Sequence, residues 1–75
     1  MTPGQARAAR SLIDWTQSKL AEAAALGLST VVDFERGRRQ VSIEAIDAMR
    51  RALEAAGVEF IPKNGGGAGV RLAKP

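Results

Sequence analysis

Three arginines near the middle of the chain carry its strongest chemical signal. Arg36, Arg38 and Arg39 surround Gly37 within four residues. Guanidinium groups bind phosphate oxygens through charge-assisted, often bidentate hydrogen bonds. The chain has 75 residues and a net charge of +3, and a basic balance favours polyanionic partners. The cluster therefore predicts contacts with the phosphates of a nucleic acid.

The residue types that are absent narrow the function classes. The chain contains no cysteine and no histidine, which excludes disulfides, Cys/His zinc sites and imidazole general-base catalysis. Its eight carboxylates are scattered, and no nucleophile has an evident base beside it. The sequence predicts that the protein is not an enzyme and needs no cofactor or metal. No small-molecule ligand is evident either.

The N-terminal half predicts helices with clear start signals. Thr2, followed by Pro3 and by Gln5 at the third helical position, forms a capping-box pattern. Thr16 is a good N-cap for a second helix, and a turn is expected from Ala25 to Gly27. These signals predict two helices and a tight turn ahead of the arginine cluster.

A third and a fourth helix follow. The third is expected from Leu28 to Arg36, with Gly37 as its left-handed C-cap. Ser42 caps the fourth, which Gly57 ends. Apolar residues at three- and four-residue spacing predict the buried stripe of this fourth helix: Ile43, Ile46, Met49, Ala52 and Leu53.

The sequence changes character after Gly57. Val58–Ile61 and Val70–Leu72 are short β-prone runs, separated by a glycine-rich connector from Pro62 to Gly69. A hairpin and a disordered tail are both compatible with this pattern. The predicted fold is all-α with four to five helices and a short C-terminal β-strand or hairpin. Residues 1–57 form the helical domain, and residues 58–75 are an extension for dimerisation or packing.

The helix order and several residues together resemble one family: Gln17, Leu20-Ala21, Ser29-Thr30, Val31 and Phe34-Glu35-Arg36-Gly37. The chain resembles the lambda-repressor-like family of Cro/C1 or XRE-type helix-turn-helix regulators over roughly residues 5–54. The resemblance implies a compact helical domain that binds double-stranded DNA as a two-fold dimer, with the third helix in the major groove. Apolar groups are buried in the family at positions matching Trp15, Leu26, Phe34 and Ile46.

The resemblance also assigns roles to individual residues. Arg10 and Glu35 are expected to form a structural ion pair between the first and third helices. The candidates for base contact are Gly27, Leu28, Ser29, Val32 and Asp33. The candidates for phosphate contact are Gln17, Thr30, Arg36, Arg38, Arg39, Gln40 and Ser42. The sequence departs from the family pattern at three places, with Ala25 at the usual turn glycine, Gly27 at the usual capping serine and Leu28 at a usually polar position.

Two functions follow from this assignment. The first is a sequence-specific transcriptional regulator that binds an inverted-repeat operator as a homodimer in the cytoplasm. The second is a protein-interaction module on the same scaffold, either antitoxin-like or an antagonist of another regulator, with a regulator or a toxin as partner. The apolar surface of the third helix at Leu28 and Val32 favours the second function. No membrane association is expected, because no apolar run reaches transmembrane length and no signal-peptide core is present.

A small chain buries only a modest fraction of its surface, so a second subunit is a plausible source of further burial. Apolar residues of the fourth helix and of the C-terminal extension are the candidates for this contact: Met49, Leu53, Val58, Phe60, Ile61, Val70 and Leu72. The C-terminal ribbon is the favoured surface. The ribbon could instead pack on the helices of its own chain.

Overall fold

The computed structural model describes residues 1–62 and 65–73. Its elements are, in chain order, α1 (Pro3–Leu12), α2 (Gln17–Ala24), α3 (Leu28–Arg36), α4 (Ile43–Ala55), β1 (Val58–Ile61) and β2 (Gly69–Leu72). The described residues thus contain four helices, and a strand follows α4 where the resemblance allowed a fifth helix. The all-α prediction therefore holds for the helical domain, while the extension forms a two-stranded antiparallel hairpin.

Each predicted N-cap starts its helix. The Thr2 hydroxyl accepts a hydrogen bond from the Gln5 amide, and the Gln5 side chain accepts one from the Thr2 amide, which completes the capping box. Thr16 and Ser42 cap α2 and α4 through their hydroxyl oxygens. Gly27 precedes α3 without a side-chain cap, because it has no side chain to accept the bond. The first turn of α3 consequently keeps free backbone N–H groups near its exposed end.

The turn between α2 and α3 sets the position of α3. Ala25 adopts a left-handed conformation with φ 56° as the C-cap of α2. This conformation costs a residue with a Cβ about 1–2 kcal/mol relative to glycine. Gly37 ends α3 at φ 65°, as predicted, and its backbone turns the chain so that residues 38–41 connect to α4.

The core lies between the four helices and is closed at one end by β1. Leu20, Val31, Met49 and Leu53 are fully buried, and Trp15, Leu26, Phe34 and Ile46 pack in or against this core as expected. Ile43 is an exception, because its side chain is 81% exposed. The prediction that Ile43 belongs to the buried stripe was therefore wrong. Ile43 is the first residue of α4, and its side chain lines an open groove together with Thr30 and Arg39.

The hairpin packs on the helices of its own chain. Phe60 and Val70 lie opposite each other in the two strands and are half-buried against the core. The side-chain amide of Gln5 in α1 donates hydrogen bonds to the backbone carbonyls of Gly69, at 3.0 Å, and Ile61, at 3.4 Å. The described part of the extension is therefore an ordered hairpin. Lys63 and Asn64 of the predicted connector lie outside the described residues.

This packing corrects part of the predicted dimer surface. Met49 and Leu53 are 0% exposed and Val58 is 3% exposed, so these side chains face the core of their own chain. They have no accessible surface to offer a second subunit. Among the remaining candidates Phe60, Ile61 and Val70 are half-buried, and Leu72 is 53% exposed.

Candidate nucleic-acid interface

The α3 helix presents one side to solvent and anchors the other in the core. Val31 and Phe34 are buried and fix the helix against the scaffold. Leu28 and Ser29 lie exposed in its first turn, and Leu28 is 47% exposed. Among the other base-contact candidates Gly27 is exposed, and Val32 and Asp33 are half-buried. All five candidates therefore retain accessible surface, and the contacts with bases stay a prediction.

Four of the predicted phosphate-contact residues line a single groove. Thr30 contributes from α3, Arg39 and Gln40 from the connecting loop, and Ser42 from the N-cap of α4. The groove has a volume of about 580 Å³, and the exposed side chain of Ile43 also lines it. The N-terminus of α4 opens here, and the partial positive charge of a helix N-terminus favours phosphate. Residues from three consecutive segments thus form one surface beside α3.

The three clustered arginines differ in their surroundings. Arg39 Nε lies 2.8 Å from Asp33 Oδ2, and Arg39 Nη2 lies 3.5 Å from the Thr30 hydroxyl. Arg36 and Arg38 are exposed and form no ion pair with a carboxylate in residues 1–62 or 65–73. Two cations are therefore available to an anionic partner, and the third is held against the surface of α3.

A second arginine–carboxylate pair lies inside the scaffold. Arg10 binds Glu35 through two parallel hydrogen bonds, Nε to Oε2 and Nη2 to Oε1, each 2.7 Å long. The Glu35 side chain is only 1% exposed, and Arg10 also donates to the Trp15 carbonyl at 3.0 Å. The hydrogen bond to Glu35 raises the pKa of Arg10 above its ordinary value, and partial burial, which lowers this pKa, does not cancel the effect. The pair joins α1 to α3, as the resemblance implied.

The match to known families agrees with this geometry. A helix-turn-helix family model matches residues 7–60, which is more than half of the chain. The chain belongs to the helix-turn-helix family. Its domain is of the Cro/C1, XRE-like type, so the resemblance noted in the sequence is confirmed. The family indicates a DNA-binding regulator whose partner is double-stranded DNA. A search of the curated proteins finds no match to the chain.

In this helix-turn-helix domain Gln17 lies next to the buried ion pair. Its side-chain amide donates to Glu35 Oε1 at 3.2 Å. An amide nitrogen carries two N–H groups, so a second donor remains on the same side chain. The predicted phosphate contact by Gln17 is therefore compatible with its structural role and stays a prediction.

Two side chains of α1 support the helix-turn-helix unit in ways that the sequence analysis missed. Arg7 donates a hydrogen bond to the backbone carbonyl of Glu35 at the end of α3. Its spacing of three residues from Arg10 places both on one face of α1 and could have indicated this role. The bonds from Gln5 to the hairpin have no such local signal, because Gln5 is 56 positions from Ile61 and 64 positions from Gly69 in the sequence.

Membrane-spanning helices and metal-binding clusters are both absent from the described residues. No helix within residues 1–62 is long and apolar enough to cross a membrane. In the described part of the chain no three carboxylates, histidines or cysteines are grouped so that they could hold a metal ion.

Proposed function

We propose that this chain is a sequence-specific transcriptional regulator that binds an inverted repeat in double-stranded DNA as a homodimer. The observation that carries the proposal is the surface around α3. The exposed first turn of α3 adjoins a groove lined by Thr30, Arg39, Gln40 and Ser42, with Arg36 and Arg38 exposed nearby in the chain. This surface combines a helix that fits the major groove with cations and N–H groups that fit the flanking phosphates.

The base contacts in this proposal are mostly apolar. Leu28 and Val32 are suited to thymine methyl groups, and Ser29 can bond to either kind of base pair. The exposed candidates include no arginine, asparagine or glutamine, which make the strongest bidentate contacts with bases. Most of the affinity therefore comes from phosphate neutralisation, and sequence preference is modest for a single subunit.

A dimer doubles both the number of phosphate contacts and the number of base contacts. About four phosphate contacts for each subunit, from the three arginines and the α4 N-terminus, give about eight for the pair and a log–log salt slope near −7. The surface that we propose for the contact is the β2 side of the hairpin. Leu72 is 53% exposed at the end of β2, and β2 pairs with β1 along one edge only. Antiparallel pairing of two β2 strands about a two-fold axis would extend the sheet and cover Leu72.

Selection from a random duplex library, followed by titration across a salt series, tests the function. We expect enrichment of an inverted repeat whose half-sites are about 34 Å apart, two chains for each duplex, and a slope near −7. Absence of enrichment together with a slope near zero would refute DNA binding. Substitution Leu72→Arg tests the dimer by sizing in solution, and a variant that remains dimeric would remove β2 from the interface.

A second candidate function is binding of a protein partner through the same scaffold. Leu28 and Ile43, which begin α3 and α4, are 47% and 81% exposed, and exposed apolar groups favour protein contacts. The two functions respond differently to substitution. Replacing Arg38 and Arg39 with alanine abolishes the biological effect if DNA is the partner, whereas replacing Ile43, which has no assigned contact with DNA, with serine abolishes it if a protein is the partner.

A further inference from the structure

The acidic residue on the exposed side of α3 is unusual for a surface that faces phosphates. Asp33 is half-buried, with its side chain 25% exposed, and its carboxylate accepts from Arg39 Nε at 2.8 Å. Two roles are compatible with this position. Either the Asp33 carboxylate accepts a hydrogen bond from a cytosine amino group, or it fixes the position of the Arg39 side chain.

The contacts of Arg39 distinguish these two roles of Asp33. Thr30 and Asp33 are three residues apart on α3 and therefore lie on one face of the helix. Arg39 reaches back from the loop after Gly37 and donates to both of them. A guanidinium group has five N–H donors in one plane, so these two bonds leave three donors unused. The Asp33 carboxylate is engaged with Arg39, while the arginine keeps most of its donors for a partner.

We infer that Asp33 is a positioning residue, which holds the Arg39 guanidinium at the edge of the groove in the orientation that binds a DNA phosphate. The inference rests on the proposed function. Arginine loses much rotamer freedom when it binds a phosphate, and a side chain already fixed in the free protein loses less. Asp33 therefore strengthens DNA binding although it carries a negative charge.

Two effects of opposite sign act at this position. The Asp33 charge repels nearby phosphates, and the Asp33–Arg39 bond prepares the cation for binding. Because Arg39 lies 2.8 Å from the carboxylate, the two charges largely cancel at the distance of a phosphate. The orienting effect therefore exceeds the repulsion while Arg39 is present. Without Arg39 only the repulsion remains, and the sign of the effect of Asp33 reverses.

A double-mutant cycle in DNA affinity tests this reversal. The four proteins are the wild type, Asp33→Ala, Arg39→Ala and the double variant, each titrated with the duplex that the wild type selects. We expect Asp33→Ala to weaken the wild-type dimer about tenfold, since each subunit loses one oriented contact. In the Arg39→Ala background, Asp33→Ala should leave affinity unchanged or raise it about twofold. Asp33→Asn, which keeps an acceptor oxygen, should fall between wild type and Asp33→Ala.

The sequence dependence gives a second readout that a purely structural role would not change. Because the contact is with a phosphate, the loss in Asp33→Ala should be uniform over operator variants, as it should be in Arg39→Ala. A loss confined to duplexes with one particular cytosine would overturn the inference and make Asp33 a base-contacting residue. Tighter binding by Asp33→Ala with Arg39 present would also overturn it. If the wild type selects no duplex, the proposed function itself fails, so the two failures are distinguishable.

Discussion

The chain contains two arginine–carboxylate pairs on α3 that share their chemistry and differ in their surroundings. Arg10–Glu35 is bidentate, and the carboxylate is 1% exposed. Arg39–Asp33 makes one short bond, and its side chains are 52% and 25% exposed. A buried charge needs its partner, because few other groups can solvate it, whereas an exposed pair contributes little to folding. The buried pair therefore holds α3 in place, and the exposed pair is accessible for the proposed contact with a DNA phosphate.

The largest effect should come from breaking the buried pair. Replacing Glu35 with alanine strands the Arg10 guanidinium and removes the partner of Gln17, so we expect a loss of about 3–5 kcal/mol in unfolding free energy. Urea unfolding measures this loss. The control is Glu54→Ala, because Glu54 pairs with Arg50 at 3.2 Å in an exposed site, and its loss should be about 0.5 kcal/mol. Equal losses in the two variants would remove the distinction between buried and exposed pairs.

Arginine-to-lysine substitution should show the same difference between the buried and the exposed pair, with smaller losses of stability. Arg10→Lys keeps the charge but cannot make the two parallel bonds to Glu35 and the bond to the Trp15 carbonyl together, so we expect a loss of about 2 kcal/mol. Arg39→Lys should change stability by less than about 0.5 kcal/mol. Thermal unfolding of both variants checks this. A loss in Arg39→Lys as large as in Arg10→Lys would mean that the exposed pair also supports the fold.

The turn ahead of α3 should show the smallest effect, in the opposite direction. Ala25 is exposed and left-handed at φ 56°, so glycine relieves strain without loss of packing. Glycine also raises the entropy of the unfolded chain, which offsets part of the relieved strain. We therefore expect Ala25→Gly to stabilise the protein by about 0.5 kcal/mol. The matched control is Ala8→Gly on the exposed side of α1, which should destabilise by about 0.5–1 kcal/mol. DNA affinity should not change in Ala25→Gly. Destabilisation by this variant would contradict the claim that the left-handed conformation of Ala25 is strained.

The parts of the structure that were predicted correctly depend on local signals. The end of α3 follows from Gly37, and the starts of α2 and α4 follow from the caps at Thr16 and Ser42, which act through neighbours in sequence. The prediction of the ion pair between α1 and α3 came from the family resemblance. These features could be predicted because each is set by a short segment or by a position that matches the pattern of a known family.

The parts that were missed depend on where separate segments meet. Periodicity placed Ile43 in the buried stripe of α4, but it does not show which positions of the helix the rest of the fold covers. Apolar pattern alone also cannot tell the core of one chain from a subunit interface, and Met49, Leu53 and Val58 fill the core. The bond between Asp33 and Arg39 depends on the path of the loop after Gly37.

We propose that cations beside α3, rather than positive charge in general, bind the DNA backbone. The salt slope of DNA affinity tests it in two variants of equal charge: Arg36→Ala with Arg38→Ala, and Arg50→Ala with Arg51→Ala. The second pair is the control, because Arg50 and Arg51 lie on α4, where they pair with Glu54 and Asp47. For the dimer, the first variant should lose four phosphate contacts, so its slope should be less negative by about 3.5, while the control should stay within about 0.5 of the wild type. Equal changes in the two variants, or no change in the first, would contradict the claim.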